Sequence, residues 1–163
     1  MAEDHPKAIT HLDATGAVRM VDVGGKGESH REAVAWGRLR TGAVAAAAMR
    51  DGTAAKGDAL AVARVAAIMA AKRTPEWIPL CHPLLLSGVE VSVELQEDAV
   101  EMTVTVRTTG STGAEMEALT AVSAGLLAVY DMLKAVERGM VLEEVKLLEK
   151  SGGRSGRWRR ASS

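Results

Sequence analysis

The segment from Gly110 to Gly139 constrains the fold more than any other stretch of the chain. Its large apolar residues recur at helical spacing, at Leu119, Val122, Leu126, Val129, Leu133 and Val136. The segment therefore predicts one long amphipathic helix, with Asp131 and Lys134 one turn apart near its end. Buried polar groups cost free energy unless something pairs with them, so these two side chains either pair with each other or meet a ligand.

The core has to be built from small side chains. Of the 163 residues only 2% are aromatic and none is Phe, whereas 47% are hydrophobic, so the core consists of Ala, Val, Leu and Met. A chain of this length fits one compact domain, predicted here over residues 1–163. Small core residues favour close approach of backbones or association of subunits.

Two runs alternate apolar and polar residues and predict an antiparallel hairpin, Val89–Leu95 with Val100–Arg107. The other predicted elements are strands at Val18–Val23, Arg31–Arg40 and Val145–Lys150, and helices at Thr41–Arg50 and from the N-cap Asp58 to Arg73. This order predicts an α+β sandwich of two layers. Residues 1–10 are predicted to be flexible, and the basic tail over about 151–163 to be mobile.

The net charge and the number of cysteines argue against several classes of protein. A net charge of −1 disfavours a nucleic-acid-binding surface, and the single Cys81 excludes an internal disulfide and suits the cytoplasm. No signal peptide is visible, and no apolar stretch is judged long enough to span a membrane. Cys81 and His82 lack a second pair at ligand spacing, so no metal or other cofactor is predicted.

Several polar residues are candidates for chemistry, and each has a structural alternative. Asp131 and Lys134 form either a surface ion pair or a general acid/base pair. Glu115 fits a capping box with Thr112, whereas Glu117 has no such role. Glu117 and Asp131 lie 14 residues apart, within about 40° around a helix axis but roughly 21 Å along it. Either the ligand is long, or neighbouring subunits complete each site.

Two further residues suit an anionic ligand. Lys56 precedes a helix N-terminus, and His82 lies in a loop that prolines make rigid. The chain contains neither a Walker loop nor a dinucleotide-binding fingerprint. The residues alone predict a soluble α+β oligomer with an anion site.

Seven segments together resemble the MoaC family, the cyclic pyranopterin monophosphate synthases of molybdenum-cofactor biosynthesis. They are THLDATGAVRMVDVG (Thr10–Gly24), KGD (Lys56–Asp58), AAKRT (Ala70–Thr74), IPLCHPL (Ile78–Leu84), TGAEMEALTAVS (Thr112–Ser123), YDMLKAV (Tyr130–Val136) and KSGGRSG (Lys150–Gly156). The resemblance covers most of the chain, from about Thr10 to Gly156. It implies a ferredoxin-like subunit, assembled as a hexamer that is a trimer of dimers, with sites at the dimer interface.

The resemblance also implies the reaction. Members of the family rearrange 3′,8-cyclo-7,8-dihydro-GTP to cyclic pyranopterin monophosphate and release pyrophosphate, without metal-based redox chemistry. It implies that Asp131 and Lys134 are catalytic. The residues implied to bind the substrate are Leu80, Cys81, His82, Glu115, Met116, Glu117, Lys56, Arg31 and Lys150.

The main departure from the family pattern is Arg154, where a Lys is common. An Arg suits a phosphate contact but does not replace a Lys that donates a proton. Two other functions compete with catalysis. One is a non-catalytic carrier or scaffold that holds a GTP-derived ligand for a partner enzyme, and the other is a general phosphate-binding regulator.

Overall fold

A computed structural model of the chain describes residues 12, 15–25, 27–54 and 56–161. The elements are β1 (Ser29–Arg40), α1 (Ala43–Arg50), α2 (Ala59–Lys72), α3 (Thr74–Trp77), β2 (Leu86–Leu95), β3 (Ala99–Gly110), α4 (Glu115–Leu133), β4 (Val141–Ser151) and β5 (Trp158–Arg159). The predicted flexible segment 1–10 lies outside the described residues.

The strands form one antiparallel sheet in the order β2-β3-β1-β4-β5. Helices α2 and α4 pack against each other, and α4 lies against β1 and β3. The chain thus follows the βαββαβ order of a ferredoxin-like sandwich, and the predicted fold class is confirmed. The predicted hairpin is β2 and β3, with Leu95 opposite Val100.

Local chemistry explains where these elements begin. The Asp58 carboxylate accepts hydrogen bonds from the backbone N–H groups of Leu60 and Ala61, at 3.0 and 2.9 Å, which confirms the predicted N-cap of α2.

In β3, Met102, Val104 and Val106 are fully buried while the residues between them remain partly exposed. This alternation gives the sheet one face for the helices.

Small residues bring backbones close together, as the composition predicts. A Cβ added to Gly37 in β1 would lie 2.6 Å from the Val122 side chain of α4 and 2.9 Å from the Glu144 carbonyl of β4. A Cβ on Gly125 would lie 3.2 Å from the carbonyl of Ala63, so α2 and α4 also meet through small residues. The core therefore has no room for a larger side chain at these crossings.

Ion pairs cross the sheet on the side away from the helices. Arg107 of β3 contacts Glu32 of β1 and Glu90 of β2, each at 2.6 Å. These hydrogen bonds raise the pKa of Arg107 above its ordinary value. The arginine links three neighbouring strands through their side chains.

Three predictions about elements were wrong. Val18–Val23 forms no strand, and Val18 makes only an isolated bridge to Leu12. Val21 and Val23 line a cavity instead of pairing with a neighbouring strand. The long helix occupies only Glu115–Leu133 of the predicted Gly110–Gly139, and α2 is followed by the short helix α3 where Thr74-Pro75 was expected to end helical structure.

The C-terminal tail contains a strand that the sequence analysis did not predict. Trp158 and Arg159 form β5, opposite Lys150 and Glu149 of β4. Arg157 pairs with Glu149 at 2.6 Å. The tail beyond Ser151 is thereby attached to the edge of the sheet.

Helix α4 is the only helix of the described residues with the length and hydropathy of a membrane span, with a mean hydropathy of 1.4. The prediction that no apolar stretch approaches that length was therefore wrong. Just over half of this segment, 56%, is buried within the fold. A core helix passes the same test of length and composition, and the packing of α4 against α2, β1 and β3 is that of a core helix.

Candidate functional site

Two cavities open at the N-terminal end of α4. The first, which we call the Cys81 cavity, has a volume of 360 Å³ and is lined by Val21, Val23, Leu80, Cys81, His82, Thr112, Gly113, Glu115, Met116 and Glu117. The second, which we call the cationic cavity, has a volume of 610 Å³ and is lined by Gly27, Glu28, Ser29, Arg31, Ser111, Thr112, Gly113, Glu115, Lys150, Gly153, Arg154 and Ser155. Since Thr112, Gly113 and Glu115 line both, the cavities are contiguous.

Two glycines shape the wall of the cationic cavity. Gly152 and Gly153 follow β4 with φ values of 92° and 72°, a region that L-residues with side chains rarely adopt. A Cβ on Gly153 would collide with the Arg31 guanidinium. The loop therefore lies directly on Arg31, whose Nε donates to the Gly110 carbonyl at 2.8 Å. It places Arg154 on the same cavity as Lys150, whose Nζ donates to Ser155 Oγ at 2.7 Å.

Glu115 lies at the junction of the two cavities, and the predicted capping box was wrong. Helix α4 has Ala114 as its N-cap, with no side-chain cap hydrogen bond, so Glu115 is the first helical residue instead of the third. Its carboxylate lies 3.4 Å from the Lys150 ammonium. This ion pair joins α4 to β4 across the junction.

Glu117 is a buried carboxylic acid on the Cys81 cavity. It is 2% exposed, and the structure gives it no ion pair within the described residues. Its pKa is raised from 4.5 to about 7: burial is the largest cause, a backbone hydrogen bond lowers the pKa in part, and the neighbouring negative charge of Glu115 adds to the rise. Burial, and then Glu117, also raise the pKa of the Cys81 thiol, which stays protonated at neutral pH.

The raised pKa of Glu117 predicts a fall in stability with increasing pH. The folded state holds this proton more tightly than the unfolded state, so the contribution is complete below pH 4.5 and is lost as the pH rises through about 7. The expected loss is about 3 kcal/mol of unfolding free energy. Urea denaturation of the native protein and of Glu117→Gln at several pH values measures it.

The Gln variant should lack this loss, so its stability relative to the native protein should rise by about 3 kcal/mol between pH 4.5 and 8. Glu94→Gln, at an exposed carboxylate of β2, is the matched control and should parallel the native curve. Parallel curves for the native protein and Glu117→Gln would contradict the raised pKa.

A second cluster of charged side chains lies at the C-terminal end of α4. Asp131 Oδ1 lies 2.8 Å from Lys134 Nζ, and Asp131 Oδ2 lies 2.8 Å from Lys56 Nζ. Lys56 also donates to the Asp131 carbonyl at 2.9 Å. The hydrogen bond from Lys134, and then that from Lys56, lower the pKa of Asp131 to about 2, and Asp131 raises the pKa of Lys134. The predicted ion pair between Asp131 and Lys134 is thus present, and Lys56 is its third member. Asp131 is an anion at neutral pH.

The structure therefore divides the predicted site residues into two groups. Around the two cavities lie Arg31, Leu80, Cys81, His82, Glu115, Met116, Glu117 and Lys150. The other group consists of Lys56, Asp131 and Lys134. Glu115 and Asp131 are separated by 16 positions of α4, or roughly 24 Å along its axis. One chain does not bring the two groups together.

Several cavity residues were not among the predicted site residues. Thr112 and Gly113 lie inside a motif that the sequence analysis singled out, so their position was a usable signal. Ser29 and Ser111 had none, because isolated serines carry no pattern. Within the described ranges, no group of three or more His, Cys, Asp or Glu side chains is placed to hold a metal ion.

Comparison with known proteins identifies the family of the chain. Three curated proteins named cyclic pyranopterin monophosphate synthase align along almost their whole length. The protein of Novosphingobium aromaticivorans is 54% identical (94% of this chain, 98% of the relative), and that of Thermomicrobium roseum is 58% identical (93% of each). That of Streptomyces coelicolor is 52% identical (98% of this chain, 94% of the relative). The model of the MoaC family matches residues 20–153, so the chain belongs to the MoaC family.

Proposed function

We propose that the chain is a cyclic pyranopterin monophosphate synthase of molybdenum-cofactor biosynthesis. It converts 3′,8-cyclo-7,8-dihydro-GTP to cyclic pyranopterin monophosphate and releases pyrophosphate. The names of relatives at 52–58% identity support this activity. The structural observation that carries the proposal is the contiguity of a cationic cavity and a cavity with a buried carboxyl group.

The cationic cavity suits the triphosphate. Arg31, Lys150 and Arg154 supply three positive charges to its wall, and hydrogen bonds to charged groups are worth about 1.5–3 kcal/mol each. A guanidinium binds phosphate oxygens through two parallel N–H groups, which gives Arg154 a role that needs no proton transfer. The adjacent Cys81 cavity then receives the purine-derived ring, beside Glu117 and the backbone of Leu80–His82.

The second group of charged residues reaches the substrate only if another subunit supplies it. Lys56, Asp131 and Lys134 meet at the C-terminal end of α4, far from both cavities of their own chain. If two copies of α4 pack antiparallel about a twofold axis, Glu117 of one copy lies beside Asp131 of the other. The axis then passes near residue 124, midway between them.

An apolar surface is present at that position. Ala124, Leu127 and Ala128 of α4, with Met69 of α2 and Trp77 of α3, line a groove of 430 Å³. Leu127, Met69 and Trp77 are 49%, 47% and 55% exposed, so large apolar area faces outward. Arg73 and Glu76 also line the groove, and they supply the positive and the negative charge that can pair across a twofold contact. This surface supports a dimer with two shared sites.

We also propose that three such dimers form a hexamer, that residues 1–163 constitute one MoaC-like domain, and that the protein works in the cytoplasm. The alternative of a carrier or scaffold is not favoured, because the relatives are named as synthases over 93–98% of this chain.

Release of pyrophosphate tests the activity directly. We expect the purified protein, incubated with 3′,8-cyclo-7,8-dihydro-GTP, to release one pyrophosphate for each cyclic pyranopterin monophosphate formed. GTP itself should release none, because it lacks the carbon–carbon bond that the rearrangement requires. Binding of the cyclised nucleotide without pyrophosphate release would instead identify a carrier.

A further inference from the structure

We infer that Glu117 is the general acid that opens the five-membered ring containing N7, C8 and N9 of the substrate. Asp131, by contrast, acts as a permanently charged partner of two lysines. This inference rests on the proposed function. It differs from the role that family resemblance implies for Asp131, because it assigns the transferable proton to the buried carboxyl group of the Cys81 cavity.

The two carboxyl groups, Glu117 and Asp131, differ in their exposure to solvent and in their ion pairs. Glu117 is 2% exposed, faces a cavity and has no ion pair within the described residues. Asp131 has a 57% exposed side chain and touches two ammonium groups at 2.8 Å. Opposite environments push the pKa values of two carboxyl groups apart, here to about 7 and about 2, which is the usual division between a proton donor and a fixed anion.

Within its own chain, Glu117 is the buried carboxyl group of this cavity, and the two lysines that the proposed dimer brings near it, Lys56 and Lys134, are already paired with Asp131. Glu115, on the same helix, is paired with the Lys150 ammonium. Cys81, from the loop after α3, is a thiol whose pKa is raised by burial. His82 comes from the same loop, and Val21 and Val23 also line the cavity without adding charge. Among the described titratable residues that line this cavity, only Glu117 is buried.

The chemistry of the substrate needs such a donor. In 3′,8-cyclo-7,8-dihydro-GTP, C8 is a saturated carbon bonded to two nitrogens, so ring opening breaks its bond to N9. The bonding electron pair goes to N9, which takes the proton of Glu117, and the lone pair of N7 forms a double bond to C8. Glu117 becomes a carboxylate, which recovers a proton from water after turnover. A positioned acid accelerates such a step by about 10²–10⁴-fold.

The pH dependence of Glu117→Gln tests this role. For the native protein, kcat/KM should fall as the pH rises through about 7, because the acid must be protonated. Glu117→Gln should lower kcat by about 10²-fold or more and keep KM within about threefold. Its kcat/KM should no longer show this limb, the fall as the pH rises through about 7. Glu115→Gln, which removes a neighbouring carboxylate without removing the donor, should raise KM and retain the limb. Glu94→Gln, on the exposed face of β2, should match the native protein.

An infrared titration of the native protein gives a second measurement that does not require a folded variant. With labelled glutamate, a protonated carboxyl band should disappear with a midpoint near 7. Near-native kcat and an unchanged pH profile in Glu117→Gln would overturn the inference, as would a glutamate spectrum in which every carboxyl group is ionised at pH 6. If the native protein releases no pyrophosphate at all, the proposed function itself fails, which is a separate outcome.

Discussion

Replacing Asp131 by Asn is expected to lower turnover by about 10²-fold while the fold and the oligomer persist. The carboxylate accepts hydrogen bonds from Lys134 and Lys56 at 2.8 Å each and holds both ammonium groups in one place. A neutral amide lacks the charge that keeps two like-charged groups together. We therefore expect both lysines to lose their fixed positions, and steady-state kinetics with the cyclised nucleotide to show the loss in kcat.

Asp98→Asn is the matched control for this prediction. Asp98 is also a half-exposed aspartate in an ion pair, 3.3 Å from Arg38, but it lies in the turn between β2 and β3. It should leave turnover unchanged. Near-normal product formation by Asp131→Asn, in a variant with a native circular dichroism spectrum, would reduce the cluster to a surface ion pair.

Gly37→Ala should be the most destabilising of the small substitutions, by about 2–3 kcal/mol of unfolding free energy. The added methyl group would lie 2.6 Å from Val122 Cγ1 and 2.9 Å from the Glu144 carbonyl oxygen. The first atom belongs to a stiff β-branched side chain, and the second belongs to the backbone of the neighbouring strand. Neither moves without separating β1 from α4 or from β4.

Gly88→Ala is the matched control, because its added Cβ would meet nothing closer than 3.9 Å, at Arg107. Gly88 also lies in a strand, so the intrinsic preference of the backbone is similar. Urea denaturation should show Gly88→Ala within about 0.5 kcal/mol of the native protein. Equal stabilities for the two variants would contradict the close approach of α4 to the sheet at Gly37.

The sequence predicted those elements whose pattern is local. Alternation in β2 and β3 identified the hairpin because both strands expose one face and bury the other. The cap of α2 was predictable because Asp58 bonds to residues two and three positions later. The strand predicted at Val18–Val23 was wrong, since the apolar Val21 and Val23 of this segment line a cavity.

The site was less predictable because its properties depend on distant parts of the chain. Burial raises the pKa of Glu117, and the cavity beside it is lined by the Leu80–His82 loop and by Val21 and Val23, which no local pattern reports. Lys56 was predicted to bind an anion of the ligand. The structure pairs it with Asp131, 75 positions away, because α2 and α4 run antiparallel and bring those two ends together.

The separation of the two groups also decides which variants can restore each other. Lys56 and Asp131 belong to the same cluster, so variants at these two positions damage the same half of a shared site. Glu117 belongs to the other half. In a mixed dimer of Asp131→Asn and Glu117→Gln subunits, one site carries both substitutions and the other carries neither.

Activity after mixing those two inactive variants is the most direct measurement of whether two subunits share each site. Equal amounts that have been dissociated and reassembled should recover about a quarter of native activity, because half of the dimers are mixed and each has one intact site. Mixing Asp131→Asn with Lys56→Ala should recover none. If mass spectrometry shows mixed dimers of Asp131→Asn and Glu117→Gln and these remain inactive, two copies of the chain do not share a site.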